Sequence, residues 1–181
     1  MFKRKKGFTL IELLIVVAIV GILAALLIPN AIAAMQKAKQ KGTMKDVATI
    51  STALTDYVTD NGRSPTHEGI IDQPLQQTLA QLYLKICPLE DQWGNPLYVY
   101  SGQDTDDYTV RGCIFGGADD FVVLSQGRDG ADGPVYMDYN PDDPEAGMYL
   151  VENMDSFKED LVMFNGAWVI GPITRQGSTA T

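Results

Sequence analysis

From Phe8 to Ile28 the chain is an apolar run in which only Thr9, Glu12 and Gly21 stand out. At about 1.5 Å per residue, residues 8–28 make about 31 Å of helix, enough to cross a bilayer core. Pro29 fixes φ and lacks an N–H, so it is expected to kink or locally open the helix just beyond that span. The periodicity then resumes. Met44, Val47, Ser51, Leu54 and Val58 recur at spacings of three and four, predicting one buried helical stripe, while Lys37, Lys39, Lys41, Lys45 and Asp46 supply polar surface. Gly42 is a second expected soft point. Asp60-Asn61-Gly62 followed by Pro65 stops the helix near residue 61.

Beyond the helix the period shortens. Leu75, Leu79, Leu82 and Ile86 predict one more short helix over 74–86. Asp91-Gln92-Trp93-Gly94-Asn95-Pro96 reads as a turn with Trp93 as a core anchor, feeding a strand at 97–100. Further β-prone runs lie at 108–115, 121–125, 148–151, 161–164 and 167–170, and Asn165-Gly166 is a strong hairpin turn. A long helix followed by strands, without alternation, predicts an α+β fold: the helix packed on a small antiparallel sheet. The expected organisation is a basic segment at 1–7, a membrane helix at 8–28, its continuation at 29–61, a globular head at 62–174 and a frayed tail at 175–181.

Charge sharpens this picture. The 181 residues carry a formal net −9, but Lys3, Arg4, Lys5 and Lys6 crowd four positive charges into the head of the chain, leaving −13 on the remainder. A basic head, an apolar run and an acidic remainder obey the positive-inside rule, with the acidic part outside the cytoplasm. The acidity argues against nucleic-acid binding. An ordinary signal peptide places its small-residue cleavage site after the apolar run, whereas here Gly7 precedes it. A carboxylate at Glu12 costs about 2.5–3.5 kcal/mol inside a membrane span and marks a functional position. Were Phe8 a free N-terminus, its ammonium group would be the natural partner for Glu12, within one chain or between chains.

Lys-Lys-Gly7 followed by Phe8-Thr9-Leu10-Ile11-Glu12 and an apolar helix through Pro29 resembles the class III signal of type IV pilins and type II secretion pseudopilins. The segments 60–69 and 91–98 resemble the major pseudopilins in particular, with Ser64 at the place of a usual Tyr and Gln92 at that of a Pro. The resemblance implies cleavage between Gly7 and Phe8 by a prepilin peptidase, N-methylation of Phe8, and a Glu12 that pairs with a neighbouring subunit's N-terminus. It implies a single-pass protein of the bacterial inner membrane with a periplasmic or extracellular head, polymerising with itself. Minor pseudopilins and an inner-membrane assembly platform would be its partners. A type IV pilus subunit for adhesion or motility is the alternative. No phosphate loop, nucleophile elbow, HExxH or second histidine points to an enzyme.

Residues 124–133 (Leu-Ser-Gln-Gly-Arg-Asp-Gly-Ala-Asp-Gly) offer hard oxygen donors in a glycine-permitted loop, which suits calcium rather than zinc or copper. By resemblance the ligands are Asp129 and the carbonyls near Leu124 and Gln126, closed by a later Asp. Asp160 fits the family's ending in local sequence, and Asp138 fits its usual distance, with Asp132 a further alternate. An apparent insertion at roughly 134–156 separates these choices; unliganded, it would be a solvated acidic loop. Cys87 and Cys113 both fall in the extracytoplasmic part, where a bridge can persist, the other reading being two buried thiols. His67 reads as a surface loop residue.

Overall fold

The computed structural model describes residues 8–102, 110–111, 117–131, 137–138, 143 and 145–173. Helix α1 runs from Leu10 to Asn61, and the chain divides into two units at Lys37 and Ala38. In the first unit the apolar residues from Leu10 to Met35 face outward, and the stretch is long and apolar enough to cross a membrane. The helix passes through Pro29 unbroken. The ring removes one hydrogen bond, to the Ala25 carbonyl, without ending the helix, as membrane helices tolerate.

In the second unit one face of α1 is buried along Gln40, Thr43, Val47, Ile50, Ser51, Ala53 and Leu54. Gly42 lies within the continuous helix at a point of close approach. The Gln92 side chain lies across it, and a Cβ at 42 would sit 2.7 Å from Gln92 Cγ. The helix ends where expected, with Gly62 at φ +69° and its N–H donating to the Val58 carbonyl at 2.7 Å.

Strand β1 (Glu68–Ile70) leads to helix α2 (Gln73–Ala80), capped by Asp72, whose Oδ1 accepts the Leu75 N–H at 3.0 Å. Only Leu75 and Leu79 of the expected stripe are buried, because the chain turns out of the helix at residue 81. The N–H groups of Tyr83 and Leu84 both reach the Leu79 carbonyl, and Tyr83 is drawn to α1, its hydroxyl donating to Asp60 and its ring packing edge-on against Tyr57 at 5.5 Å. Leu82 and Ile86 are left 83% and 80% exposed.

The remaining strands are β2 (Leu97–Ser101), β3 (Val110–Arg111), β4 (Phe121–Ser125), β5 (Met137–Asp138), β6 (Met148–Leu150), β7 (Leu161–Phe164) and β8 (Ala167–Ile173). The main sheet has the order β1-β2-β4-β7-β8-β6, and β3 pairs with β5 separately. Neighbours are antiparallel except β6 with β8 and β3 with β5, so the sheet is mixed rather than purely antiparallel. The β7–β8 hairpin turns at Asn165 and Gly166, both at positive φ, as the dipeptide predicts.

Alternation sends Leu97, Val99, Phe121, Val123 and Met163 against Val47, Ile50 and Leu54 of α1 and Leu75 and Leu79 of α2. Val122, Leu124, Val162 and Val169 form a second cluster on the other face, with Tyr98, Tyr100, Phe164 and Ile170. All five residues of β4 are therefore buried. Trp93 is only half-buried, and the buried member of its turn is Asp91. The described part of the insertion contributes β6, with a 3-10 turn at Asp155–Phe157 following whose Phe157 is buried, while Asp143 and Glu145 are exposed.

Candidate functional site

Three places carry the residues singled out by the sequence. At the start of α1, Glu12 Oε2 accepts the Thr9 N–H at 2.9 Å and the Thr9 hydroxyl at 2.7 Å, while the Glu12 N–H donates to Thr9 Oγ1 at 3.3 Å. This is a reciprocal capping box that satisfies otherwise orphaned helix-start donors. Its signal, Thr-x-x-Glu ahead of an apolar run, was readable in the sequence. Phe8 is exposed beside it, and Gly7 lies outside the described residues.

The second place is the loop after β4. Ser125 stands opposite Leu161 in the β4–β7 ladder, so the loop meets the segment leading into β7. The Arg128 N–H donates to the Phe157 carbonyl at 2.8 Å. Gly127, at φ +63°, lies so close that a Cβ would sit 2.6 Å from the Glu159 carbonyl oxygen and 2.7 Å from that of Lys158. Buried Asp160, which immediately precedes β7, is thereby brought to the loop. Asp138 instead lies on β5, paired with β3 in the separate two-stranded sheet. Asp129 is exposed, its Oδ1 accepting the Ala131 N–H at 3.3 Å, and Asp132 lies outside the described residues. Among the described residues no three His, Cys, Asp or Glu side chains group as a metal centre. The carboxylates and main-chain carbonyls that the sequence singles out in this loop are a hard-oxygen type of donor.

The third place is the turn at 91–96, which sequence reasoning treated as packing. Asp91, 5% exposed, accepts the N–H groups of Trp93 and Asn95 on Oδ1 (2.8 and 2.9 Å) and the Ser125 hydroxyl on Oδ2 (2.8 Å). Asn95 Nδ2 donates to the Gly127 carbonyl at 2.7 Å.

Cys87 is a half-buried thiol against the Pro88 carbonyl, and burial pushes its pKa up to about 11. Cys113 lies outside the described residues. The His67 imidazole is not a surface group: it is 8% exposed, with Nε2 3.1 Å from the Ile70 carbonyl and Nδ1 3.6 Å from Asp72.

Residues 2–28 match the prokaryotic N-terminal methylation motif, and residues 30–140 match type II secretion system (T2SS) protein G. The chain belongs to the type II secretion system protein G family. The core protein G of Aeromonas hydrophila is 34% identical over 143 residues, covering 74% of this chain and 92% of that protein. Those of Vibrio cholerae and Pseudomonas aeruginosa are 31% and 33% identical over 139 and 140 residues, each covering 72% of this chain and 88% and 89% of theirs. No solved structure matches. The methylation motif spans Gly7, Phe8 and Glu12, and the protein G match spans Asp91, Asn95 and Asp129. Asp160 and the strands β6 to β8 lie beyond residue 140, where the protein G match ends.

Proposed function

We infer that the chain is the major pseudopilin of a type II secretion system, a structural subunit that assembles into the pseudopilus driving export. The observation that carries this reading is the match to both the methylation motif and protein G, joined to a first unit whose apolar helix residues are exposed among the described residues. Such a helix is stable in two settings, lipid before assembly and a bundle of identical helices afterwards. The chain would sit in the inner membrane with its head in the periplasm, lose residues 1–7 to a prepilin peptidase, and be methylated at Phe8. Glu12 would then pair with a neighbouring subunit's N-terminus. Minor pseudopilins and the assembly platform would be its partners.

Calcium fits the loop after β4 by two criteria, the hard-oxygen donors and a close approach that a Cβ at Gly127 would fill. Asp129, Asp160 and carbonyls near Leu124 and Gln126 would hold it. The ion would supply a cross-link between the loop and the base of β7 and offset repulsion among nearby carboxylates. Gene deletion with complementation tests the reading. Loss of export of secreted enzymes, with twitching motility intact, is expected; loss of motility with export intact would instead assign a type IV pilus.

A further inference from the structure

The turn at 91–96 reaches both polar groups of Gly127 in the loop after β4, the carbonyl directly and the N–H through Ser125. The Gly127 N–H donates to Ser125 Oγ at 3.3 Å, and that hydroxyl in turn donates to buried Asp91. The Gly127 carbonyl is taken by Asn95 Nδ2, and the Asn95 side chain also fills the space beside Gly130, where a Cβ would sit 2.7 Å from Oδ1. Gly127 is thus held on both sides, with no room to move toward Lys158 and Glu159 behind it. The turn is itself anchored on α1. The Gln92 N–H donates to Thr43 Oγ1 at 3.1 Å and Gln92 Nε2 to Asp46 at 2.7 Å. A buried carboxylate with three donors carries a cost unless its geometry is kept, so this network is rigid by construction.

We propose that Asp91 and Asn95 are positioning residues for the cation loop, holding the Gly127 peptide so that the flanking donors converge and its carbonyl is kept away from the ion. The proposal rests on the calcium reading above. Neither side chain ligates the ion; both act through Gly127, whose N–H shares a peptide group with the proposed Gln126 carbonyl ligand, so they stand as outer partners of a ligand, whose loss costs about 10–100-fold in affinity. It also separates hydrogen-bond geometry from charge. Asn95→Asp brings a negative charge toward the site, which by simple attraction would tighten cation binding, but it removes the donor to Gly127. Asp91→Asn removes a charge but can keep the bonds, Oδ1 accepting as before and Nδ2 donating to Ser125 Oγ.

The test is calorimetric titration of the full chain in detergent micelles with calcium chloride, alongside melting in calcium and in EGTA. Wild type should bind and melt higher in calcium. Asn95→Ala and Asn95→Asp should each bind about 10–100-fold more weakly, and Asp91→Asn should stay within a few-fold of wild type. A purely structural role would lower melting equally in calcium and EGTA, leaving affinity alone, and that result overturns the proposal. So does tighter binding by Asn95→Asp, whose outcome stands even if Asn95→Ala fails to fold. A wild type indifferent to calcium would remove the calcium reading itself, whereas normal wild-type binding with unchanged variants removes only the positioning role.

Discussion

Tyr149→Phe removes one oxygen from the strand that the insertion adds to the sheet. In the native head that hydroxyl accepts Gln40 Nε2 at 3.0 Å, joining β6 to α1. Gln40 is only 4% exposed, so the variant leaves a dry amide, at a cost of about 1–3 kcal/mol. Relief from burying the phenol offsets part of this, and the net expectation is about 1–2 kcal/mol, with α1 and β6 less firmly joined. For a chain of this size that is about 2–8 °C in melting temperature. A second signature is alkaline. Burial, with Glu159 and Asp160 nearby, holds the Tyr149 phenol well above its usual range, only partly offset by the Gln40 bond. A raised acid pKa contributes stability that is complete below the unfolded value near 10 and lost as pH rises through the folded one. Wild type should therefore lose stability above pH 10 more steeply than the Phe variant. Thermal melts of both full-length proteins in detergent from pH 7 to 11 measure each effect. Equal melting at pH 7 and parallel alkaline profiles would refute the docking of the insertion on α1 through this bond.

Gly127→Ala should lower melting by about 5–15 °C, since positive φ costs a non-glycine residue about 1 kcal/mol and the clash with the 158 and 159 carbonyls about 1–3 more. Glu12→Ala should insert in membranes yet fail to enter filaments, whereas Thr9→Val, which loses only a cap worth about 1 kcal/mol, should still assemble. Equal filament loss in both would make Glu12 a helix cap and nothing more. Asp160→Ala should abolish any calcium-dependent rise in melting while Asp138→Ala preserves it, and the reverse result would assign closure to Asp138.

The sequence was most legible where one residue type forces one conformation. Asn165-Gly166 fixed the β7–β8 hairpin, Gly62 and Pro65 fixed the end of α1, and the β-prone run at 121–125 became β4. Legibility failed where partners are distant. β1 is three residues with no apolar alternation, and only its pairing with β2 makes it a strand. The parallel pairing of β6 with β8 depends on a contact no local pattern encodes. Helical period alone carried α2 too far, because it cannot register Tyr83 being drawn toward Asp60. Asp129 and Glu12 stood out in the sequence as carboxylates, one in a glycine-rich loop and one in an apolar run. Asp91 and Asn95 did not, because a buried polar turn looks in sequence like any exposed one.

The most direct test of the account is the intact mass of the chain recovered from filaments sheared off cells that overproduce the secretion system. A chain beginning at Phe8 with a methylated amine, and present as the main filament component, is the predicted result. A filament chain that retains residues 1–7, or one that begins beyond residue 28 and so lacks the apolar helix, would contradict it.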